Sequence, residues 1–245
     1  PHIVTVHDVG AVGDVVYIVM ELLEGADVAE LLELEGRLSL PLALEIGRQV
    51  SSGLAVAHAG GVIHRDIKPE NIFVIGSISG AIAKVLDFSV AKVPLKLDRK
   101  RLTRSGAIFG TPHYMAPEQI RAEPVTPQTD LYGLGAVLYE MVTGVPPFDA
   151  DSALDLFELH VTADIPDLNL RVPDAPAGLS ELVQRMLAKQ PTKRPDSARE
   201  VSEALSAMLS ANFAPAETNP AMITGPITVQ VAPTDPAGRR PEPVP

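Results

Sequence analysis

The stretch from Thr129 to Gly144 constrains this chain most. Leu131, Leu134, Val137, Leu138 and Met141 recur at helical spacing and leave the helix apolar on nearly all sides. Such a helix has no face to offer water, so it belongs at the centre of a domain with other elements wrapped around it. With 245 residues the chain can supply that wrapping as one large or two small domains.

The flanking elements follow from their patterns. Residues 3–9 alternate and are rich in β-formers, Gly10 to Gly13 turns the chain, and Val15–Met20 continues as a second strand, which predicts a hairpin. A short helix is expected at Val28–Leu34. Leu42, Ile46, Val50, Leu54 and Ala57 mark a longer one over Leu40–His58, with Pro41 near its start and Gly60-Gly61 past its end. Ile72–Ile75 and Ala83–Leu86 read as paired strands around a Gly76–Gly80 turn, and Ala153–His160, Leu179–Lys189 and Ser197–Leu209 as amphipathic helices. Residues 88–118 form a long irregular stretch, and a loop of that length within a compact domain usually carries function. Residues 211–245 hold eight prolines and little apolar periodicity, and are expected to be a disordered tail or linker. No internal repeat is visible.

Composition narrows the function classes. A net charge of −11 argues against general nucleic-acid binding, and the positive charge is concentrated at Lys96, Arg99, Lys100, Arg101 and Arg104. The absence of cysteine excludes a disulfide framework and a thiolate metal site. No apolar run reaches the roughly 18 residues that span a bilayer. The start, Pro1-His-Ile-Val, is neither an initiator methionine nor a signal peptide, and reads as a cut inside a domain.

Reactive residue types cluster in Val62-Ile-His-Arg-Asp-Ile-Lys-Pro-Glu-Asn71, and Val85-Leu-Asp-Phe-Ser89 follows at hairpin distance. Polar groups on loops at the mouths of strands are how a rigid scaffold presents a reactive site. A lone Asp in a loop is most often a turn former; the clustering favours catalysis here. With Gly110-Thr-Pro-His-Tyr-Met-Ala-Pro-Glu118, Asp130-Leu-Tyr-Gly-Leu-Gly135 and Lys193-Arg-Pro195, these words resemble the eukaryotic-like (Hanks-type) serine/threonine protein kinases of bacteria, from Ile3 to about Leu209.

The resemblance implies an α+β, protein-kinase-like fold. Residues 1–20 would be the remnant of the small lobe, 21–25 the hinge and 26–210 the large helical lobe, followed by the tail 211–245. It implies transfer of the ATP γ-phosphate to Ser/Thr hydroxyls of proteins, with ATP and Mg²⁺ (or Mn²⁺) as cofactors. Asp66 would accept or orient the hydroxyl proton and Lys68 would neutralise charge on the γ-phosphate. Asn71 and Asp87 would be the metal's oxygen ligands. Met20 resembles the residue at the back of the adenine pocket, although Met is also a common core filler. Glu21 to Leu23 would be the hinge that reads the adenine edge, and Phe73 would line the pocket floor. Arg65 would receive a phosphate on the activation segment, with Thr103 and Ser105 as acceptors ahead of Ser89 and Thr111; the same hydroxyls also fit plain solvated loop positions. Thr111 would form part of the peptide-docking wall, close to Asp66 and Lys68. His64 would be structural, Glu118 and Arg194 a buried pair, and Asp130 the anchor of the catalytic-loop backbone. The basic run 96–104 fits either an acidic peptide or phosphate, or a solvated face.

Protein substrates and ATP are the implied partners, no nucleic acid is expected, and a homodimer for trans-autophosphorylation is an arrangement the resemblance allows. The expected location is a cytoplasmic kinase domain, with membrane anchoring beyond residue 245 left open. The family's glycine-rich loop, its ATP-binding Lys and the helix Glu that pairs with it do not occur in these residues, and Ser89 stands where the family has Gly. The 245 residues alone are therefore expected to be inactive. The alternative reading is a pseudokinase or kinase-like binding scaffold, and a further one has the Pro-rich tail recruit partners.

Overall fold

A computed structural model describes residues 1–12, 15–76, 80–88 and 112–213. Strands β1 (Val6–Val12) and β2 (Val15–Met20) form an antiparallel hairpin with Val12 opposite Val15. A second antiparallel sheet runs in the order β3 (Gly25–Asp27), β4 (Ile72–Ile75), β5 (Ile82–Val85). The helices are α1 (Val28–Glu35), α2 (Leu40–Ala59), α3 (Pro117–Ile120), α4 (Pro127–Thr143), α5 (Ala153–Thr162), α6 (Leu179–Met186) and α7 (Ala198–Asn212). The fold is α+β, as the resemblance implies.

The hairpin differs from the sequence expectation in where it turns. Gly10 stays inside β1 because the Tyr17 ring lies across it; a Cβ there would meet the Tyr17 hydroxyl at 2.3 Å. Strand β1 therefore runs through the expected start of the turn as far as Val12. Residues 2–4 do not belong to β1 but run beside β5, where Val4 N–H donates to Val85 O and Val85 N–H to His2 O, each at 3.0 Å. The hairpin leaves much apolar surface open, with Val9 54%, Val12 72% and Val16 71% exposed.

Local chemistry explains the helix ends. Asp27 and Glu30 form a capping box that starts α1: Asp27 Oδ1 accepts from Glu30 N–H at 2.9 Å, while Asp27 N–H donates to Glu30 Oε2. Pro41 sits in the first turn of α2. Helix α4 is the buried centre predicted above, with every residue from Thr129 to Tyr139 buried. Helix α2 packs its Ala43, Leu44, Ile46, Val50 and Leu54 stripe against α4, α7 and the second sheet. Helix α6 stops at Met186, before Lys189, and α7 continues to Asn212. No helix among the described residues is long and apolar enough to cross a membrane.

One buried group makes the fold acid-sensitive. His160 on α5 is fully buried and bonded to the Tyr132 hydroxyl at 2.8 Å, and the Phe148 ring stands edge-on 5.1 Å away. Burial, and then the nearby Lys189 ammonium, push its pKa down to about 3. The unfolded chain binds a proton near pH 6.5 that the folded one refuses, so stability is intact above 6.5 and drains as pH falls towards 3. Between pH 6.5 and 5 this group alone should cost about 2 kcal/mol. Urea unfolding across that range should show a shallower pH slope in His160→Gln; an unchanged slope would refute the assignment.

Candidate active site

The loop after α2 meets the end of β5 above the N-terminal half of α4. Asp130 lies in the first turn of α4 and is 1% exposed. Its Oδ2 accepts from His64 N–H at 2.9 Å and its Oδ1 from Arg65 N–H at 2.7 Å, while the His58 ring at the end of α2 binds Oδ2 at 2.7 Å. The loop backbone is thus hung from a carboxylate that the fold holds rigidly. Arg65 takes a left-handed φ of 70°, unusual for a side chain of its size. The Asp130 bonds on one side and the Gln119 side-chain amide, which donates to Arg65 O at 2.8 Å, hold it there. Gly133, one turn along α4, lets the loop press close: a Cβ there would meet Ile67 O at 3.0 Å.

His64 joins the two halves of the site. It is fully buried, and burial pushes its pKa below the usual range, so the ring is neutral. Asp66 N–H donates to Nδ1 at 3.2 Å, which puts the ring proton on Nε2, and that N–H donates to Leu86 O at 2.6 Å. The ring also meets Phe88 edge-on at 4.8 Å. Asp87 sits between these two contacts with a left-handed φ of 50°. One imidazole therefore holds the Asp66 amide, the Leu86 carbonyl before Asp87 and the Phe88 ring after it.

The reactive side chains converge. Lys68 Nζ stands 4.0 Å from Asp66 Oδ2. Asn71 Nδ2 donates to Asp66 O at 2.8 Å, and Leu86 N–H donates to Asn71 O at 2.9 Å, tying the loop to the residue before Asp87. With Nδ2 committed to the Asp66 carbonyl, Oδ1 is the Asn71 donor suited to a cation. No group of three or more His, Cys, Asp or Glu among the described residues could cage a metal ion. Two protein oxygens fit magnesium, which keeps waters and shares ligands with phosphates.

The expected nucleotide-side residues lie at the end of the hairpin and in β4. Met20 ends β2 at 37% exposure, and Leu23 is half-buried. Glu21 Oε1 accepts from Lys84 Nζ at 2.6 Å and from Thr5 N–H at 2.7 Å, which hold its carboxyl down to about 2. Lys84 lies opposite Phe73 in the β4–β5 ladder, so this ion pair ties the hairpin's end to β5, the strand paired with the one that carries Phe73. Thr103, Ser105, Thr111 and Ser89 lie outside the described residues.

Two supports close the lower wall. Arg194 forks onto Glu118 at 2.7 and 2.8 Å, both groups being buried, and also donates to the carbonyls of Gln128 and Ala188 at 2.8 Å each. Burial pushes the Glu118 carboxyl up, but the guanidinium outweighs it and the net shift is downward. The Tyr114 hydroxyl donates to Glu140 Oε2 at 2.6 Å, pinning the segment after residue 111 to α4. Neither His58 nor the Tyr114–Glu140 bond was foreseen from sequence, because nothing in the local pattern says which polar residue of a helix will turn inward.

A buried carboxylate anchors a His-Arg-Asp loop beside an Asp-bearing strand end on a kinase-like fold. The family model described as "Protein kinase domain" matches residues 1–206, and the chain belongs to that family. It is 40% identical over 214 residues to the serine/threonine-protein kinase pkn3 of Myxococcus xanthus, covering 85% of this chain and 39% of the relative. A probable serine/threonine-protein kinase of Clostridium perfringens is 38% identical, over 82% of this chain and 28% of its own length. The serine/threonine-protein kinase PknH of Mycobacterium tuberculosis is also 38% identical, over 86% and 33%. The chain thus spans well under half the length of these curated relatives.

Proposed function

We propose that the full-length protein is an ATP-dependent serine/threonine protein kinase. The convergence of Asp66, Lys68 and Asn71 on a loop hung from Asp130, with Asp87 held beside it through His64, carries this reading. The printed names of the relatives support the substrate class. The acceptor hydroxyl oxygen attacks the γ-phosphorus, a new O–P bond forms, and the bond from γ-phosphorus to the β,γ-bridging oxygen breaks to release ADP. Asp66 orients the hydroxyl and takes its proton. Lys68, 4.0 Å from Asp66, would offset negative charge on the transferring group. Asn71 and Asp87 would hold a divalent cation, whose chemistry is to neutralise phosphate charge.

Met20, Glu21, Leu23 and Phe73 would form the adenine side, since the Glu21–Lys84 pair ties the hinge to the β4–β5 ladder beside Phe73. Arg65 is exposed, its backbone held by Asp130 and Gln119, and would receive a phosphate placed on Thr103 or Ser105. Incubating the full-length protein with γ-labelled ATP and a mixed protein acceptor should yield phosphoserine and phosphothreonine after acid hydrolysis. Label found only on tyrosine, or no label at all, would overturn the proposal.

A further inference from the structure

Gln49 lies in the middle of α2, 5% exposed, among residues that otherwise pack apolar surface. Its side chain reaches the edge of β5 that faces away from β4. Nε2 donates to Ala81 O at 2.8 Å, and Oε1 accepts from Ala83 N–H at 2.7 Å. A primary amide offers one donor and one acceptor side by side, as a peptide group does, and here it stands in for a residue of a neighbouring strand. The pairing continues along the same edge with other groups. His2 Nδ1 donates to Ala83 O at 3.0 Å, Val85 N–H donates to His2 O, and Val4 N–H donates to Val85 O. Glu45 Oε1, one turn back on α2, accepts a second bond from Gln49 Nε2 at 2.7 Å and fixes the amide's orientation.

The consequence runs down the strand. Val85 ends β5, Leu86 is gripped by Asn71 O and by the His64 ring, and Asp87 follows. The grip at Leu86 fixes one end of a short strand, and Gln49 fixes the other. Without Gln49, Ala81 O and Ala83 N–H would be buried with no partner, and β5 would loosen from its Gly80 end. We propose that Gln49 is a positioning residue for Asp87: by acting as a surrogate strand partner it sets how well β5 presents that carboxylate to a nucleotide-bound divalent cation. The inference rests on the assignment of Asp87 as a cation ligand given above, and it adds a residue that touches neither nucleotide nor metal.

The test uses Gln49→Met in the full-length protein, which keeps the side chain's length and removes both bonds. Leu205→Ala is the control, since Leu205 is fully buried and packs over Gly47 on another part of α2. Binding of a fluorescent ATP analogue is titrated with Mg²⁺, and KM is measured separately for ATP and for an acceptor peptide. Gln49→Met should raise half-saturating Mg²⁺ by on the order of tenfold, the low end of what partners that orient a metal ligand cost. KM for ATP should rise with it and KM for the peptide should not. Leu205→Ala should lower thermal stability and leave the Mg²⁺ titration unchanged. An unchanged Mg²⁺ titration in Gln49→Met, or an equal shift in both variants, would overturn the inference. A wild-type protein that binds Mg²⁺ and nucleotide but transfers nothing would sink the activity reading alone, and the titration would still decide the role of Gln49. Wild-type protein that binds no nucleotide with Mg²⁺ would overturn both.

Discussion

Asp66→Asn in the full-length protein should lower kcat for phosphate transfer by about a thousandfold, within the range a positioned base contributes. The change is small in shape. Asn keeps the side chain's size, and the loop is also held by the backbone bonds to Asp130 and the Asp66 N–H bond to His64 Nδ1, which the substitution leaves in place. What is lost is the group proposed to accept the hydroxyl proton, together with the negative charge beside Lys68. KM for ATP should therefore stay within a few-fold of wild type, and the loss should fall on kcat. Steady-state kinetics with ATP and peptide varied in turn separates the two. A variant with wild-type kcat would remove Asp66 from the chemistry, and one that lost nucleotide binding instead would recast it as a structural residue.

Arg194→Ala should be the most destabilising single change in the lower part of the molecule, at about 3–5 kcal/mol. The truncation strands the Glu118 carboxylate, which is 1% exposed and keeps the Thr129 hydroxyl at 2.8 Å but no compensating charge among its described partners. It also removes the donors to the Gln128 and Ala188 carbonyls and the guanidinium stacked 4.8 Å over the Tyr132 ring. The cost comes from the uncompensated charge more than from the lost attraction. The double replacement Glu118→Leu with Arg194→Met should therefore recover a large part of it. Urea midpoints for Arg194→Ala and for the double replacement would show this. A loss under about 1 kcal/mol in Arg194→Ala would mean that the site rehydrates and the pair contributes little.

Much of this was legible in the sequence, for reasons that differ by region. The central helix announced itself because full burial needs apolar residues on every side, and no loop or surface helix carries that pattern. The loop 62–71 was legible because its side chains are few, reactive and set by short covalent spacing. Long-range closures were not. Gln49 reads as an ordinary polar residue inside a helix; the one available signal is its place between Ile46 and Val50 on the apolar stripe, where a polar residue must find a partner. His58 likewise marks only a helix end until the fold brings Asp130 to within 2.7 Å. The hairpin turn was displaced because Gly10 suggested a bend, whereas the Tyr17 ring that needs the space lies on the opposing strand. Periodicity reports which face is buried, and it does not report what waits there.

Whether loop 64–71 works as one catalytic unit is read most directly by a double-mutant cycle in kcat with Asp66→Asn and Asn71→Ala. Asn71 holds the Asp66 carbonyl and is proposed to bind the cation, so either change should disable the same assembly. The double variant should be no slower than the worse single variant, as for catalytic groups that act together. Losses that multiply would contradict a single unit, and a double variant as fast as wild type would contradict the site altogether.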